Sequence, residues 1–522
     1  QDLCVKKIAQ AGISELSVRS ALGMADIFHK STVIFTLPTS TDASIFSTTR
    51  FDTVIKDSPQ MREKLDRNVD NTSIKKLGDS FIYIRGTFTK RAAISIPADI
   101  LFHDEVDFSN QEVLSSYASR LGHVQEDQII KRRFSTPTVG GYGVSRLFDE
   151  STQNWRAVRC DHCMTWQVPK FLNDVVIPGF DERIITFERD DLRNERVKVD
   201  EAMLLCPGCR HPISQANLAD PAKRVWVSAR PDERRAGYQI QPFDLAKINP
   251  LARTIRAIDN YKRKADWVNF AIGQEYEDAE TSFVTEAVAN AHCLKWVEPH
   301  AGIADGTVMG VDVGKTSWIL IGKPVTSQRM EVLHYERVRA VSENTLKDRV
   351  VELAGWYGVK RMVIDAGPDW TVALAVMNAL PDGVASASYY TKTRNMTMSF
   401  LDYDAEERIV KTDRTPFISD VAKRVNAGKI LFCRCPEQDT MKAHLGALKK
   451  VVRPSESGDD AEAWVSTDPD HYAHALFFAM IASHLLSYVQ TESVIAALPL
   501  PARVKVGTQP QRRHYLDRVA NG

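Results

Sequence analysis

Residues 98–109 read ADILFHDEVDFS. An apolar run, Ile100-Leu101-Phe102, passes through His103 into two adjacent acids, Asp104 and Glu105. A short, fully apolar run of this kind predicts a strand buried on both faces of a parallel sheet. Two carboxylates at the tip of such a strand can divide the work of phosphate chemistry. The first supports Mg²⁺ and the second polarises the water that attacks a γ-phosphate. Asp-Glu at a strand end is also common on plain surfaces, so the flanking segments decide between the two readings.

Upstream, STVIFTLPTS (31–40) predicts a strand, a helix follows through residues 42–58, and SFIYIRGTF (80–88) predicts another strand. Downstream, KRRFSTPTVGGYG (131–143) predicts a strand ending in Ser135, Thr136, Pro137 and Thr138. Small hydroxyl residues at that tip can sense the γ-phosphate and report it to the rest of the domain. Together the two tips follow the Walker B plan of a P-loop ATPase with ATP as substrate. The phosphate-binding loop should then lie on an earlier strand. No G-x-x-x-x-G-K-[ST] occurs in the chain. The expectation is that this loop lies upstream of Gln1, and that DLCVKKIAQAGI (2–13) is the amphipathic helix it opens.

Two C-x-x-C pairs, Cys160/Cys163 and Cys206/Cys209, are separated by 42 residues. Paired thiolates at this spacing reach one tetrahedral Zn²⁺. Residues 156–215 are therefore expected to form a zinc ribbon, structural because four thiolates leave no open coordination position. His162 and His211 are substitutes available for a ligand. Thiols buried in a core are the alternative.

The pattern changes after residue 280. VMGVDVGKTSW (308–318) ends in what looks like a phosphate loop, Gly314-Lys315-Thr316. Yet Met309 stands where the first loop glycine belongs, and strand follows instead of helix. The Gly-Lys-Thr is therefore expected to be a hairpin turn, with Asp312 in mid-strand, where an acid needs a partner or a metal. A third strand (329–338), a helix with Leu346, Val350, Leu353 and Tyr357 on one face, and a buried strand ending at Asp365 follow. This order is that of an RNase H-like fold, whose acids hold two divalent metals, Mg²⁺ or Mn²⁺. STDPDHYAHALFFAMIASHLL (466–486) is expected to supply the third acid, Asp470, with His474 one helical turn on. His474 can ligate Mn²⁺, shuttle a proton or position water. Asp369 is expected to be a loop cap and Asp404 to be solvated.

Lys+Arg and Asp+Glu are both 67, so a nucleic-acid surface must be local. Neither a membrane span nor a signal peptide is expected. The last 22 residues hold five Lys/Arg and one acid, and predict a flexible basic tail.

On ILFHDEVDF, STPT, NFAIGQEYE (269–277), GVDVGK, VIDAG and DHYAHALFFAMIA, the chain resembles the large terminase subunit of tailed bacteriophages, in the subset with a cysteine-rich insertion. The resemblance implies ATP-driven translocation of double-stranded DNA into a procapsid, and two-metal endonucleolytic cleavage of concatemeric DNA. It implies Asp104 and Glu105 as Walker B, Ser135-Thr136-Pro137 as the coupling motif, and Asp312, Asp365 and Asp470 as nuclease metal acids. It also implies a portal protein, a small terminase subunit and a homo-oligomeric ring as partners, host cytoplasm as location, and a trans-acting arginine for which Arg85 and Arg91 are candidates. His474 departs from the family, many members of which carry Asp there. The expected architecture is α/β: a P-loop NTPase-like domain over 1–280 without its Walker A segment, a zinc-ribbon insertion, a linker at 281–302, an RNase H-like nuclease over 303–490, and a tail at 491–522. The competing readings are an ATP-independent RNase H-like or integrase-type nuclease with a zinc-stabilised DNA-binding first half, and a zinc-stabilised scaffold bridging DNA to a capsid.

Overall fold

DLCVK, expected to lie in a helix, is instead strand β1 (Asp2–Lys6). It is followed by a loop and then the helix Ile13–Ile27. Periodicity cannot separate a buried strand from a helix over so few residues. Gly12 marks the break: it takes φ +78 just before the helix, in the left-handed region that costs glycine no steric strain. The strand–loop–helix unit expected upstream of the chain is thus formed by residues 2–27. The computed structural model describes residues 1–497 apart from 95, 340–342, 368, 392–399 and 455–459.

Two compact units are present: 1–295 with 390–400 and 412–473, and 296–389 with 401–411 and 474–522. The first is built on one large sheet. Its early strands are β2 (Thr32–Leu37), β3 (Ile74–Leu77), β4 (Ser80–Gly86), β5 (Ile100–Asp104) and β6 (Ile130–Ser135). Next come β7 (Asn154–Arg159), β8 (Trp166–Gln167), β9 (Val175–Val176), β10 (Met203–Leu205) and β11 (Pro212–Ile213). β12 (Arg224–Ser228) and β13 (Ala236–Gln239) complete the set. The order is β12-β7-β13-β1-β6-β5-β2-β4-β3, with β8 on β7 and β9, β10 and β11 forming a separate small sheet. From β7 to β4 all neighbours are parallel.

β5 is buried along its whole length, which explains its unbroken apolar run. Phe35 is fully buried against Phe46, Phe51 and Phe102, at centroid distances of 5.4, 5.3 and 5.8 Å. These rings fasten the helical segment after β2 to the sheet, each contributing on the order of 1.5–3 kcal/mol by burial. His103, on β5, is buried beside Thr36 and Tyr117. Burial pushes its pKa down to about 3, so the ring is a neutral packing group.

The second unit carries β14 (Thr307–Asp312), β15 (Thr316–Thr326), β16 (Arg329–Arg339), β17 (Val359–Asp365), β18 (Ala385–Thr391), β19 (Leu401–Asp404) and β20 (Ile409–Asp413). β14, β15 and β16 form an antiparallel meander, and β17 pairs parallel with β14 and with β18. The strand–strand–strand–helix–strand order and the Gly-Lys-Thr turn are as expected. Asp312 is the last residue of β14, not mid-strand. Leu346, Val350, Leu353 and Tyr357 do pack into one core with Met309, Val311, Met362 and Ile364.

Three expected boundaries move. Within the expected linker, Thr285–Ala291 is a helix with Val288 and Ala291 buried, and the Val284 N–H donates to Asn426 Oδ1 at 3.0 Å. Residues 412–473 fall in the first unit. There the hairpin of Leu448–Pro454 and Asp460–Ser466 packs Val451 and Val465 on Val139 and Tyr142. The helix His471–Ala497 runs into the expected tail, the rest of which lies outside the described residues.

Candidate functional site

In the first unit, the order β1-β6-β5 brings three strand tips side by side at the carboxyl edge, where ligands of parallel sheets bind. Lys7 leaves β1 and its Nζ lies 3.0 Å from Glu105 Oε1 at the tip of β5. Burial would lower the Lys7 pKa, but the Glu105 and Asp104 carboxylates outweigh it and the net shift is upward. Asp104 is fully buried and is pushed up to about 6, first by burial, then by Glu105, against the pull of Lys7 and a hydrogen bond from Ser14. Glu105 takes φ +52, a left-handed conformation rare outside glycine and a mark of functional strain. Ser135, at the tip of β6, donates from its hydroxyl to Glu105 Oε2 at 3.4 Å. Thr136 Oγ1 is buried and has no hydrogen-bond partner among the described residues.

Of these groups, Lys7, Glu105 and Thr136 line a cleft of about 780 Å³ that also takes in residues 9–14, Asp42, Arg50 and Phe270. The predicted Asp104, Glu105, Ser135 and Thr136 are therefore together. Pro137 follows them in the chain. Arg85 lies on β4 with its guanidinium over the Tyr83 ring at 5.3 Å, and Arg91 opens the short helix Arg91–Ile94.

In the second unit, side chains alternate across the sheet. Met309, Val311, Met362 and Ile364 share the core face, so Gly310, Asp312, Val363 and Asp365 share the other. The register Val311↔Ile364 sets Asp312 beside Asp365 at the ends of adjacent strands. A Cβ on Gly310 would lie 2.0 Å from the Ala475 carbonyl oxygen and 2.3 Å from the Ala479 nitrogen. The helix beginning at His471 therefore lies directly on this face. Asp312 is 6 % exposed. Burial raises the Asp365 pKa, the charge of Asp312 raises it further, and His474 pulls it down, with a net rise. Two carboxylates on adjacent strands facing one imidazole make a site suited to hard divalent cations.

Asp470 differs from expectation. It stands just before the helix instead of within it, so it does not share a helical face with His474. Its carbonyl accepts from the Ala473 N–H at 2.9 Å and its carboxylate accepts from the Ser466 hydroxyl. Thr467 donates to the Ala447 carbonyl at 3.0 Å. Asp369 caps the helix Trp370–Asn378 and Asp404 is exposed, as expected, and Asp404 also accepts from two turn amides.

The four predicted cysteines meet. Cys160 and Cys209 sulfurs are 3.7 Å apart, Cys163 and Cys206 3.8 Å. A tetrahedron with Zn–S bonds of about 2.3 Å has edges of about 3.8 Å. Both knuckles have the same backbone. Met164 and Arg210, each following the second cysteine, take φ +59 and donate to the carbonyl of the first. The thiol set fits Zn²⁺ in distance, number and softness.

Residues 1–226 match the family model of the phage terminase large subunit gpA, ATPase domain. The matched stretch, less than half of the chain, is similar to that domain. Among solved structures, the large terminase of bacteriophage HK97 is 9% identical over 92% of this chain and 91% of its own, with a TM-score of 0.49. The large terminase of a thermophilic bacteriophage is 10% identical over 93% of each chain, at 0.31. The magnesium-bound large terminase nuclease of thermophilic phage G20c is 16% identical over 39% of this chain and 98% of its own, at 0.27. At these distances no residue's role is carried across. No curated protein sequence matches the chain.

The first unit contains two features that motif reading missed. One is the loop after β1, whose lysine precedes the loop and whose single glycine follows it. The other is Asp107, buried two residues past Glu105. Asp107 accepts from the Thr138 amide and hydroxyl, both at 2.9 Å, and from the Val144 amide at 2.7 Å. Burial pushes its pKa up to about 7, although these donors hold it down. No helix among the described residues is long and apolar enough to cross a membrane.

Proposed function

We propose that the chain is a packaging motor and nuclease: it hydrolyses ATP to drive double-stranded DNA through a portal into a procapsid, and cuts concatemeric DNA with two divalent metals. The observation that carries the ATPase assignment is the convergence of Lys7, Ser14, Glu105 and Thr136 on one cleft, with the buried Asp104 hydrogen-bonded to Ser14. The loop 7–12 is the phosphate loop. Its amides precede the helix Ile13–Ile27, whose amino end favours anions. Lys7 binds the phosphates. Asp104 and the Ser14 hydroxyl would hold the Mg²⁺ that accompanies the nucleotide and neutralises its charge.

Lys7 now neutralises Glu105. A nucleotide competing for Lys7 releases the carboxylate to orient the attacking water. The unpaired Thr136 hydroxyl stands ready for a γ-phosphate oxygen. Pro137 stiffens the turn that carries this change toward Thr138 and Asp107.

In the nuclease, Asp312 and Asp365 hold the metals and His474 borders them. Asp470 is the family's third acid, carried by the segment that leads into the helix. The four cysteines hold a structural Zn²⁺. The small terminase subunit, a ring of copies and the host cytoplasm are the setting. ATP turnover with Glu105→Gln tests the first activity. Full turnover with bound nucleotide would overturn it.

A further inference from the structure

His162 lies inside the first knuckle and His211 two residues past the second. Their rings stack at 3.3 Å between centroids, 11° from parallel, on the exposed side of the thiol cluster. One nitrogen of each and the Cys209 sulfur all lie within 4.8 Å of one another. We propose that His162, His211 and Cys209 form a second, solvent-facing site for a borderline transition-metal ion, foremost Zn²⁺, joined to the four-cysteine site through the Cys209 sulfur.

Three observations support this. The first is charge. A divalent ion held by four thiolates carries a net charge of about −2. Cys163 and Cys209 are only half buried, so that charge is open to a second cation approaching from solvent. Two neutral imidazoles and a second divalent ion cancel it. The second is ligand direction. His211 Nδ1 lies 3.3 Å from the Cys209 carbonyl. A ring that donates from Nδ1 to a carbonyl presents a lone pair on Nε2, the arrangement seen behind metal-bound histidines. The third is thiolate chemistry. A metal-bound thiolate keeps lone pairs and can bridge two ions, so Cys209 can serve both sites.

In the stacked arrangement the two ring planes run nearly parallel, and lone pairs on parallel rings do not converge on one ion. The rings must splay when metal enters. Both are exposed, so this displaces no packed core. With three protein ligands the ion retains an open position for water or an external donor. This distinguishes the site from the closed four-cysteine centre. The alternative is that the imidazoles only donate N–H bonds to thiolates. That arrangement takes up no metal.

The proposal rests on the four-cysteine reading, and metal counting separates the two. Every chain compared, the one with all cysteines and histidines intact included, carries Asp365→Ala so that the nuclease acids do not add to the count; each is saturated with ZnCl₂, desalted into buffer holding low micromolar free Zn²⁺, and assayed for zinc per chain. The intact chain should hold two equivalents, and His162→Ala and His211→Ala one each. His162→Gln should behave as His162→Ala, and unchanged thermal melting would show that the variants fold. One equivalent in the intact chain, or two in the histidine variants, overturns the second site and leaves the first standing. No zinc in the intact chain overturns both.

Discussion

Lys7 and Glu105 form an ion pair across two strand tips, Nζ to Oε1 at 3.0 Å, although 98 residues separate them. The pair joins the cation that should meet phosphate to the carboxylate that should activate water. Removing either therefore gives a different defect. Lys7→Ala should weaken nucleotide binding and hydrolysis together. Glu105→Gln should leave binding within a few-fold and lower kcat by about 10²–10³, the usual loss for one precisely placed group. Fluorescent-nucleotide titration and phosphate release measure the two effects separately.

Cleavage should depend on the other unit. Asp365→Ala and Asp312→Asn should abolish Mn²⁺-dependent plasmid cleavage and leave ATP turnover within about two-fold of wild type. Equal cleavage by wild type and Asp365→Ala would end the nuclease assignment. His474→Asp provides a finer test. An added oxygen ligand suits Mg²⁺ better than imidazole does, so the variant should shift the ratio of Mg²⁺- to Mn²⁺-supported cleavage toward Mg²⁺.

Asp107 should make stability depend on pH. Its folded pKa of about 7 lies above the ordinary 3.8, so the folded state holds the extra proton between these values. That contribution is fully present below about pH 4 and is lost as pH rises through about 7. Asp104, at about 6, acts in the same direction over a narrower window. With metal and nucleotide removed, denaturant midpoints should fall from pH 5 to 7.5. Asp107→Asn should flatten the upper part of that slope. A slope as steep as that of wild type would show that the proton resides elsewhere.

Stripping zinc should lower the melting temperature of the first unit. Cys160 and Cys206 are buried, and the hydrophobic cluster around them includes Phe171, Val175 and Leu204. Chelation or Cys206→Ser should shift melting by several degrees, with the cleavage chemistry of the remaining folded protein unaffected. An unchanged melt would remove the structural role.

Gly310→Ala should damage the second unit alone. The added methyl meets helix backbone at 2.0 Å, and backbone cannot rotate aside. Overpacking of this kind costs about 1–3 kcal/mol or more. Cleavage should fall while ATP turnover persists, as measured on one preparation.

Much of this was legible in the sequence because each motif occupies a single element. The Asp104-Glu105 tip, the Ser135-Thr136 tip, the paired cysteines, and the turn after Asp312 all announce themselves locally. What stayed hidden depends on distant partners. The strand nature of Asp2–Lys6 is decided by β6 and β13 on either side of it, not by its own five residues. Lys7 escaped notice because it stands before the loop's only glycine instead of after it, so no consensus detects it. Asp107 looked like one more acid in an acidic stretch. Only the fold shows the Thr138 and Val144 donors that hold it. Asp470 falls just outside its helix, which begins at His471, because local sequence does not fix a helix boundary to the residue.

The contact at Gly310 has a mechanical consequence. Strand and helix meet backbone to backbone there, with no side chain between them to yield. Sliding or tilting of the helix must carry β14 with it, so Asp312 and His474 travel together. A force applied to this helix would reposition the metal-facing groups as one piece without prying them apart.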